Sequence, residues 1–252
     1  MPQRDSDLTH PGGLTRLFLD ATLSQGAIVS LAEPQTHFLA HVLRAKPGDG
    51  LHLFNGRDGE WHAVVSEISK RAVVLRVDVQ SRLQSGVPDL WLLLAPIKKT
   101  PLDYIVQKAT ELGVARIQPV ITRRTIVDRV NLERMRANAI EAAEQSGRLT
   151  VPDIAEPIDL AKLVPQWNAE RRIMFCDEAG DAPPAVATLA KIGRSPWAIL
   201  TGPEGGFDPA EREMLRRQSF VVPVSLGPRI MRADTAALAA IALWQSTVGD
   251  WD

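Results

Sequence analysis

Apolar and polar positions alternate with a period of two along residues 51–56 (LHLFNG), 60–69 (EWHAVVSEIS) and 72–81 (AVVLRVDVQS). That period belongs to strands with one buried face. The Gly-Arg-Asp-Gly run at 56–59 separates the first two segments and predicts a hairpin. Residues 36–49 (THFLAHVLRAKPGD) predict one short helix closed by a Pro-Gly-Asp turn. Together these segments predict a small, mostly β domain built as a barrel.

A polar link at 81–89 (SRLQSGVPD) ends this pattern and divides a domain of residues 1–84 from one of residues 85–252. Beyond it, LWLLLAPI (90–97) is a continuous apolar run, as expected of a strand buried on both faces. A helix is expected next, with Thr100 as cap, Pro101 at the first position, Asp103 in the first turn and Gly113 as its stop. ARIQPVIT (115–122) predicts a strand, and 131–147 a helix between Asn131 and Gly147. Further strands are expected at 171–178, 196–202 and 220–227. Residues 208–218 (DPAEREMLRRQ) predict a helix capped by Asp208, with Glu211 in the reciprocal capping position. The last helix is expected at 233–248, with Asp234 or Thr235 as its cap. Strands alternating with helices predict an α/β domain with a mostly parallel sheet, whose ligands bind at the carboxyl ends of the strands.

Composition narrows the chemistry. With 252 residues, 45% of them hydrophobic, and a net charge of -1, the chain reads as an ordinary globular protein. Polar residues rich in Pro, Gly and Asp at 1–13 predict an unstructured start. No apolar run approaches the roughly 18 residues of a membrane span, and no signal-peptide core opens the sequence; a cytoplasmic location is expected. Cys176 is the only cysteine, so an internal disulfide is excluded, and it reads as a small buried hydrophobe. All five histidines fall within the first 62 residues, which leaves the α/β domain without imidazole and without a histidine-based metal site. The overall charge carries no basic signature. Yet residues 98–124 hold six basic residues (Lys98, Lys99, Lys108, Arg116, Arg123, Arg124) against Asp103 and Glu111. Such a stretch either faces phosphates or is a solvated helix face.

Two turns at strand ends carry the chemistry. TGPEGGF (201–207) places Gly202, Gly205 and Gly206 around Glu204, more glycine than a plain turn needs, so its backbone is open to a ligand. The Gly-x-Gly-x-x-Gly fingerprint and the Gly-Lys-Ser/Thr of a P-loop are both missing. A carboxylate inside the loop repels a pyrophosphate and suits a cationic ligand. The second turn, LGPRIMRADTAALAA (226–240), puts Arg229 and Arg232 at the mouth of a helix rich in alanine. An arginine there opposes the helix dipole, so its place asks for a reason beyond surface charge.

GPEGGF followed by SLGPRIMRADTAALAAIAL closely resembles the C-terminal signature of the RsmE-type ribosomal RNA methyltransferases of the SPOUT superfamily. RLFLD (16–20), HFLAHVLRAKPGD (37–49) and FNG (54–56) resemble that family's PUA-like RNA-binding domain. Residues 98–120 and 141–152 resemble its middle motifs. The family usually carries Glu where this chain has Asp234. The resemblance implies a deep trefoil knot, S-adenosylmethionine (SAM) as cofactor, a homodimer without a metal, and methylation of N3 of one uridine in the 16S rRNA of the small ribosomal subunit. It implies that Thr201, Gly202, Pro203, Glu204, Gly205, Gly206, Leu226, Gly227, Ile230, Thr235 and Ala236 wrap SAM. In that reading Arg232 is expected to stabilise the uracil anion, and Asp234 to accept the proton or orient the base. Lys98, Lys99, Arg123 and Arg124 are expected to hold RNA phosphates, joined by Arg16 and Arg44 on the small domain and by Gln145 and Arg148. Two alternatives stay open: a SPOUT enzyme acting on another RNA nucleotide, and a non-catalytic RNA-binding assembly protein.

Overall fold

The computed structural model describes residues 7–10, 13–69, 72–127, 129–178 and 181–251; most of the polar N-terminal stretch lies outside the described residues. The chain divides into two compact units, one of residues 1–86 with 143–151, the other of 87–142 with 152–252.

The first unit holds β1 (Thr9–His10), β2 (Gly13–Leu14), β3 (Arg16–Phe18), β4 (Ile28–Ser30), helix α1 (Glu33–His37) running into a π-helical turn at Phe38–Val42, then β5 (Gly50–Phe54), β6 (Glu60–Ile68) and β7 (Val73–Arg82). The small barrel is built as a five-stranded sheet in the order β3-β5-β6-β7-β4. The expected hairpin is β5–β6, paired antiparallel with Leu51 opposite Ala63 and Leu53 opposite Trp61. Its turn is set by Asn55, whose Oδ1 accepts the amides of Arg57 (3.0 Å) and Asp58 (2.8 Å). Alternation along the strands delivers one apolar face: Leu51, Leu53, Ala63, Val65, Val73, Leu75 and Val77 share a core with Leu17 and Leu39. Register shifts along β6–β7 bend the sheet.

Arg16 is engaged within this unit. Its Nε donates to Glu60 (2.7 Å), Nη1 to the carbonyls of Ala143 (2.8 Å) and Glu144 (3.0 Å), and Nη2 to that of Arg148 (2.9 Å). The guanidinium also covers the Phe54 ring. These bonds make Arg16 an anchor of the fold. Burial alone would raise Glu60, but hydrogen bonds from His52 and Arg16 lower its pKa to about 2.

The second unit contains β8 (Leu90–Leu94), α2 (Lys99–Glu111), β9 (Arg116–Ile121), α3 (Leu132–Ser146), whose residues from 143 on cluster with the first unit, β10 (Asp153–Ile154), β11 (Ile158–Asp159), α4 (Leu160–Leu163), β12 (Arg172–Cys176), α5 (Ala185–Ile192), β13 (Trp197–Thr201), α6 (Pro209–Arg216), β14 (Val221–Val224) and α7 (Ala233–Val248). The strands form one parallel sheet in the order β10-β9-β8-β13-β12-β14, with β11 also paired to β9. The continuous apolar runs are the central strands: every residue of β13 is buried, and β8 is exposed in part only at Trp91. β13 lies between β8 and β12, so the loops leaving these strands gather at one carboxyl edge of the sheet.

Helix ends show where local rules held. Asp208 and Glu211 form the expected capping box of α6, and Asn131 Oδ1 accepts the Arg134 amide (3.0 Å) at the start of α3. Two caps differ. α2 begins after Lys98, and Thr100 and Pro101 sit inside its first turn, where a missing amide costs nothing. α7 begins after Arg232, which offers no side-chain cap; Asp234 Oδ1 accepts the next residue's amide, Thr235, at 2.7 Å.

Candidate active site

The glycine loop after β13 is built by its neighbours. Phe207 is buried, with its ring edge-on to Phe175 at 5.0 Å. A Cβ on Gly202 would lie 2.7 Å from that ring, so only glycine lets the backbone pass there. Gly206 has φ +66°, and a Cβ on it would lie 2.6 Å from Glu178 Oε1. The same Oε1 accepts the Phe207 amide at 3.0 Å. Gly206 donates to the Pro203 carbonyl (2.9 Å), closing the turn. The bend after β14 is set by Ser225, whose Oγ accepts the Gly227 amide at 3.2 Å, with Gly227 at φ +123°.

These bends enclose two adjoining cavities. The larger, of about 680 Å³, is lined by residues 201–206 together with Ile97, Pro101, Arg124, Cys176, Glu178, residues 230–234 and Ala236. The smaller, of about 510 Å³, is lined by residues 225–231 with Cys176, Asp177, Glu178 and Ala236. Cys176, Glu178, Ile230, Met231 and Ala236 belong to both. All the cavity residues come from strand ends or the loops after them, apart from Pro101 in the first turn of α2 and residues 233, 234 and 236 in the first turn of α7.

The structure therefore brings together Thr201, Gly202, Pro203, Glu204, Gly205, Gly206, Arg232 and Asp234 around the larger cavity, and Leu226 and Gly227 around the smaller, with Ile230 and Ala236 at both. Thr235 lines neither; its hydroxyl turns back to Asp234 Oδ1 at 3.3 Å. Of the residues expected to contact RNA, Arg124 alone lines either cavity among the described residues. Lys98, Lys99, Arg44 and Gln145 are exposed elsewhere. Arg123 is exposed and paired with Asp208 (3.1 Å), and Arg148 donates to Thr150 (3.0 Å).

Sequence patterns missed Ile97, Pro101, Cys176, Asp177, Glu178 and Met231. For Cys176, Asp177 and Glu178 the signal existed, since they end a strand in a parallel sheet. Burial pushes the Cys176 thiol up to about 12, so it is a wall and no nucleophile. Asp177 has no exposed side-chain surface and is held by Arg212 Nε (3.0 Å) and Arg216 Nε (2.8 Å), which ties α6 to the end of β12. The paired carboxylate of Asp181 raises Arg216 further.

Chemically, the site offers unobstructed backbone, three carboxylates (Glu178, Glu204, Asp234) and two guanidiniums: Arg124, tied to the Gly205 carbonyl, and Arg232. That set suits a cation carrying a reactive group, next to a partner that becomes an anion. Among the described residues no cluster of His, Cys, Asp and Glu is suited to a metal ion, and no helix is long and apolar enough to cross a membrane.

Comparison with known proteins agrees with this chemistry. An RNA methyltransferase domain model matches residues 84–245, and an RNA methyltransferase PUA domain model matches residues 31–78. The ribosomal RNA small subunit methyltransferase E of Rickettsia conorii is 35% identical over 90% of this chain and 93% of its own length. Its namesake from Synechocystis is 33% identical over 86% of this chain and 72% of its own. A solved structure of the Neisseria gonorrhoeae ribosomal RNA small subunit methyltransferase E, bound to SAM, superposes with a TM-score of 0.86 at 28% identity, covering 94% of this chain and 99% of that one.

Proposed function

The chain belongs to the ribosomal RNA small subunit methyltransferase E family and is a SAM-dependent ribosomal RNA methyltransferase; we propose that it methylates N3 of one uridine in the 16S rRNA of the small ribosomal subunit. The observation that carries this reading is the meeting of the glycine loop, Arg232 and Asp234 around one cavity. The residues fit the cofactor: glycines stand where a Cβ would collide, and carboxylates rather than phosphate-binding lysines line the wall.

When bound, SAM supplies an electrophilic methyl on a sulfonium centre. Residues 201–206 and 226–230 would hold it through backbone groups. Uridine N3 attacks only after losing its proton. In this reading Asp234 accepts it or orients the base, supported by its Oδ1 being tied to the Thr235 amide while Oδ2 has no protein hydrogen bond among the described residues. The resulting charge spreads over the flanking uracil carbonyls, and the Arg232 guanidinium stabilises it there. Turning the base out of its stack exposes N3, and alignment of the two reactants contributes much of the acceleration. Lys98, Lys99, Arg123, Arg124 and Arg44, with Gln145 and Arg148, supply contacts for RNA. The proposal includes a homodimer, the trefoil knot, domains of residues 1–84 and 85–252, and a cytoplasmic location, where its substrate is assembled.

The test is to incubate the protein with methyl-labelled SAM and small subunits lacking the modification, then digest the rRNA and identify the labelled nucleoside by mass spectrometry. Labelled 3-methyluridine at one site supports the reading. Label in a ribose or a guanine moves the enzyme to another target, and RNA binding without label overturns the catalytic role.

A further inference from the structure

Two side chains outside the glycine loop hold its backbone from opposite sides. β9 ends at Ile121, and the next residues form a turn in which the Thr122 amide donates to Thr125 Oγ1 (3.0 Å) and the Thr125 amide to the Thr122 carbonyl (3.1 Å). That turn presents two arginines. The Arg123 amide donates to Glu211 Oε1 (2.9 Å) and its guanidinium to Asp208 (3.1 Å), which docks the turn on the start of α6. Arg124 Nη1 then donates to the Gly205 carbonyl at 2.9 Å. A Cβ built on Gly205 would stand 3.6 Å from Arg124 Cβ, so the Arg124 side chain runs beside the loop. From β12, Glu178 Oε1 accepts the Phe207 amide at 3.0 Å. Both side chains line the larger cavity.

We propose that Arg124 and Glu178 are a two-sided latch that positions the glycine loop for SAM, giving Arg124 a role in cofactor affinity in addition to its proposed contact with RNA. This rests on the reading that the loop holds SAM. The loop's three glycines leave its backbone free to sample other conformations. Phe207 anchors one end in the core, while between Pro203 and Phe207 the polar ties from outside the loop are those of Arg124 and Glu178. Fixing the Gly205 carbonyl and the Phe207 amide sets which way the two peptide groups on either side of Gly206 face, and with them the course of the loop backbone along the cavity. Neither side chain is needed at the reacting atoms, so the latch acts mainly on binding.

The experiment is calorimetric titration of SAM into the full-length protein without RNA, for the unaltered chain and for Arg124→Ala, Arg124→Lys, Glu178→Ala and Glu178→Gln, followed by kcat and KM on small subunits. Each alanine variant is expected to weaken SAM binding and raise its KM about tenfold, the loss of one charge-assisted hydrogen bond. The loss is expected to fall mainly on SAM affinity and its KM, with the smaller part on kcat. Arg124→Lys keeps a donor and Glu178→Gln keeps an acceptor, so both recover most of the affinity. Amide exchange at Phe207 quickens in Glu178→Ala and not in Glu178→Gln. The latch is overturned by unchanged SAM affinity in Arg124→Ala with weaker RNA binding and a shallower salt dependence, which marks a phosphate contact. It is equally overturned if kcat falls with SAM affinity intact. Absence of SAM binding by the unaltered protein would instead overturn the cofactor reading on which the latch rests.

Discussion

Replacing Arg232 by alanine separates chemistry from folding and from cofactor binding. Arg232 is exposed, and among the described residues its side chain makes no hydrogen bond or ion pair. It stands at the start of α7 without capping it, where a positive charge opposes the helix dipole. Removing that charge relieves about 0.3–1 kcal/mol of repulsion, so stability stays level or rises slightly. SAM contacts in this account come from the backbone of the two bends, and SAM affinity stays within about twofold. The cost falls on the transition state. Losing one donor aimed at a developing oxyanion typically lowers kcat by about 10²–10³, or roughly 2.7–4 kcal/mol. Thermal melts, SAM titration and single-turnover methylation of small subunits read the three quantities. Arg232→Lys keeps the charge without the planar fork and is expected to fall between the two. The reasoning is refuted if turnover survives within about threefold, or if activity is lost only because SAM no longer binds.

Other substitutions probe the remaining parts. Gly206→Ala forces φ +66° on a residue with a Cβ and brings that Cβ against Glu178; a strain of about 1–2 kcal/mol should appear as about tenfold weaker SAM binding in calorimetry. Glu60 is lowered to about 2, so its contribution to stability is present above the unfolded carboxylate pKa and disappears as pH falls through about 2. Melting temperature between pH 6 and about 2 should fall less steeply for Glu60→Gln than for the unaltered chain, from a lower starting value. Replacing Lys98 and Lys99 together by alanine should weaken RNA binding at all sequences and reduce the slope of log affinity against log salt by about 2, measured by filter binding.

Legibility in the sequence followed the length and periodicity of each element. The β5–β6 hairpin, the buried strands β8, β12 and β13, and α7 over Ala233–Val248 are long enough for their periods to show. β10 and β11 have two residues each, too few for any pattern, and are strands only because β9 offers them an edge. The parallel pairing of β3 with β5 is equally non-local. In the site, glycine excess at 202–206 and charge at the mouth of α7 were visible because both break a local norm. Glu178 breaks none, since an acid after a strand is ordinary; only its contact with the Phe207 amide reveals its work. The anchoring role of Arg16 was equally hidden, because nothing local shows that carbonyls at 143–148 take up its donors.

The central claim is that the bends at 201–206 and 225–231 close around SAM beside Arg232. A crystal structure of the protein grown with SAM tests it most directly. The account predicts density for the cofactor between those two bends, with backbone groups of both loops in contact and its methyl open toward Arg232. Density for SAM at another surface, with both bends empty, would contradict it.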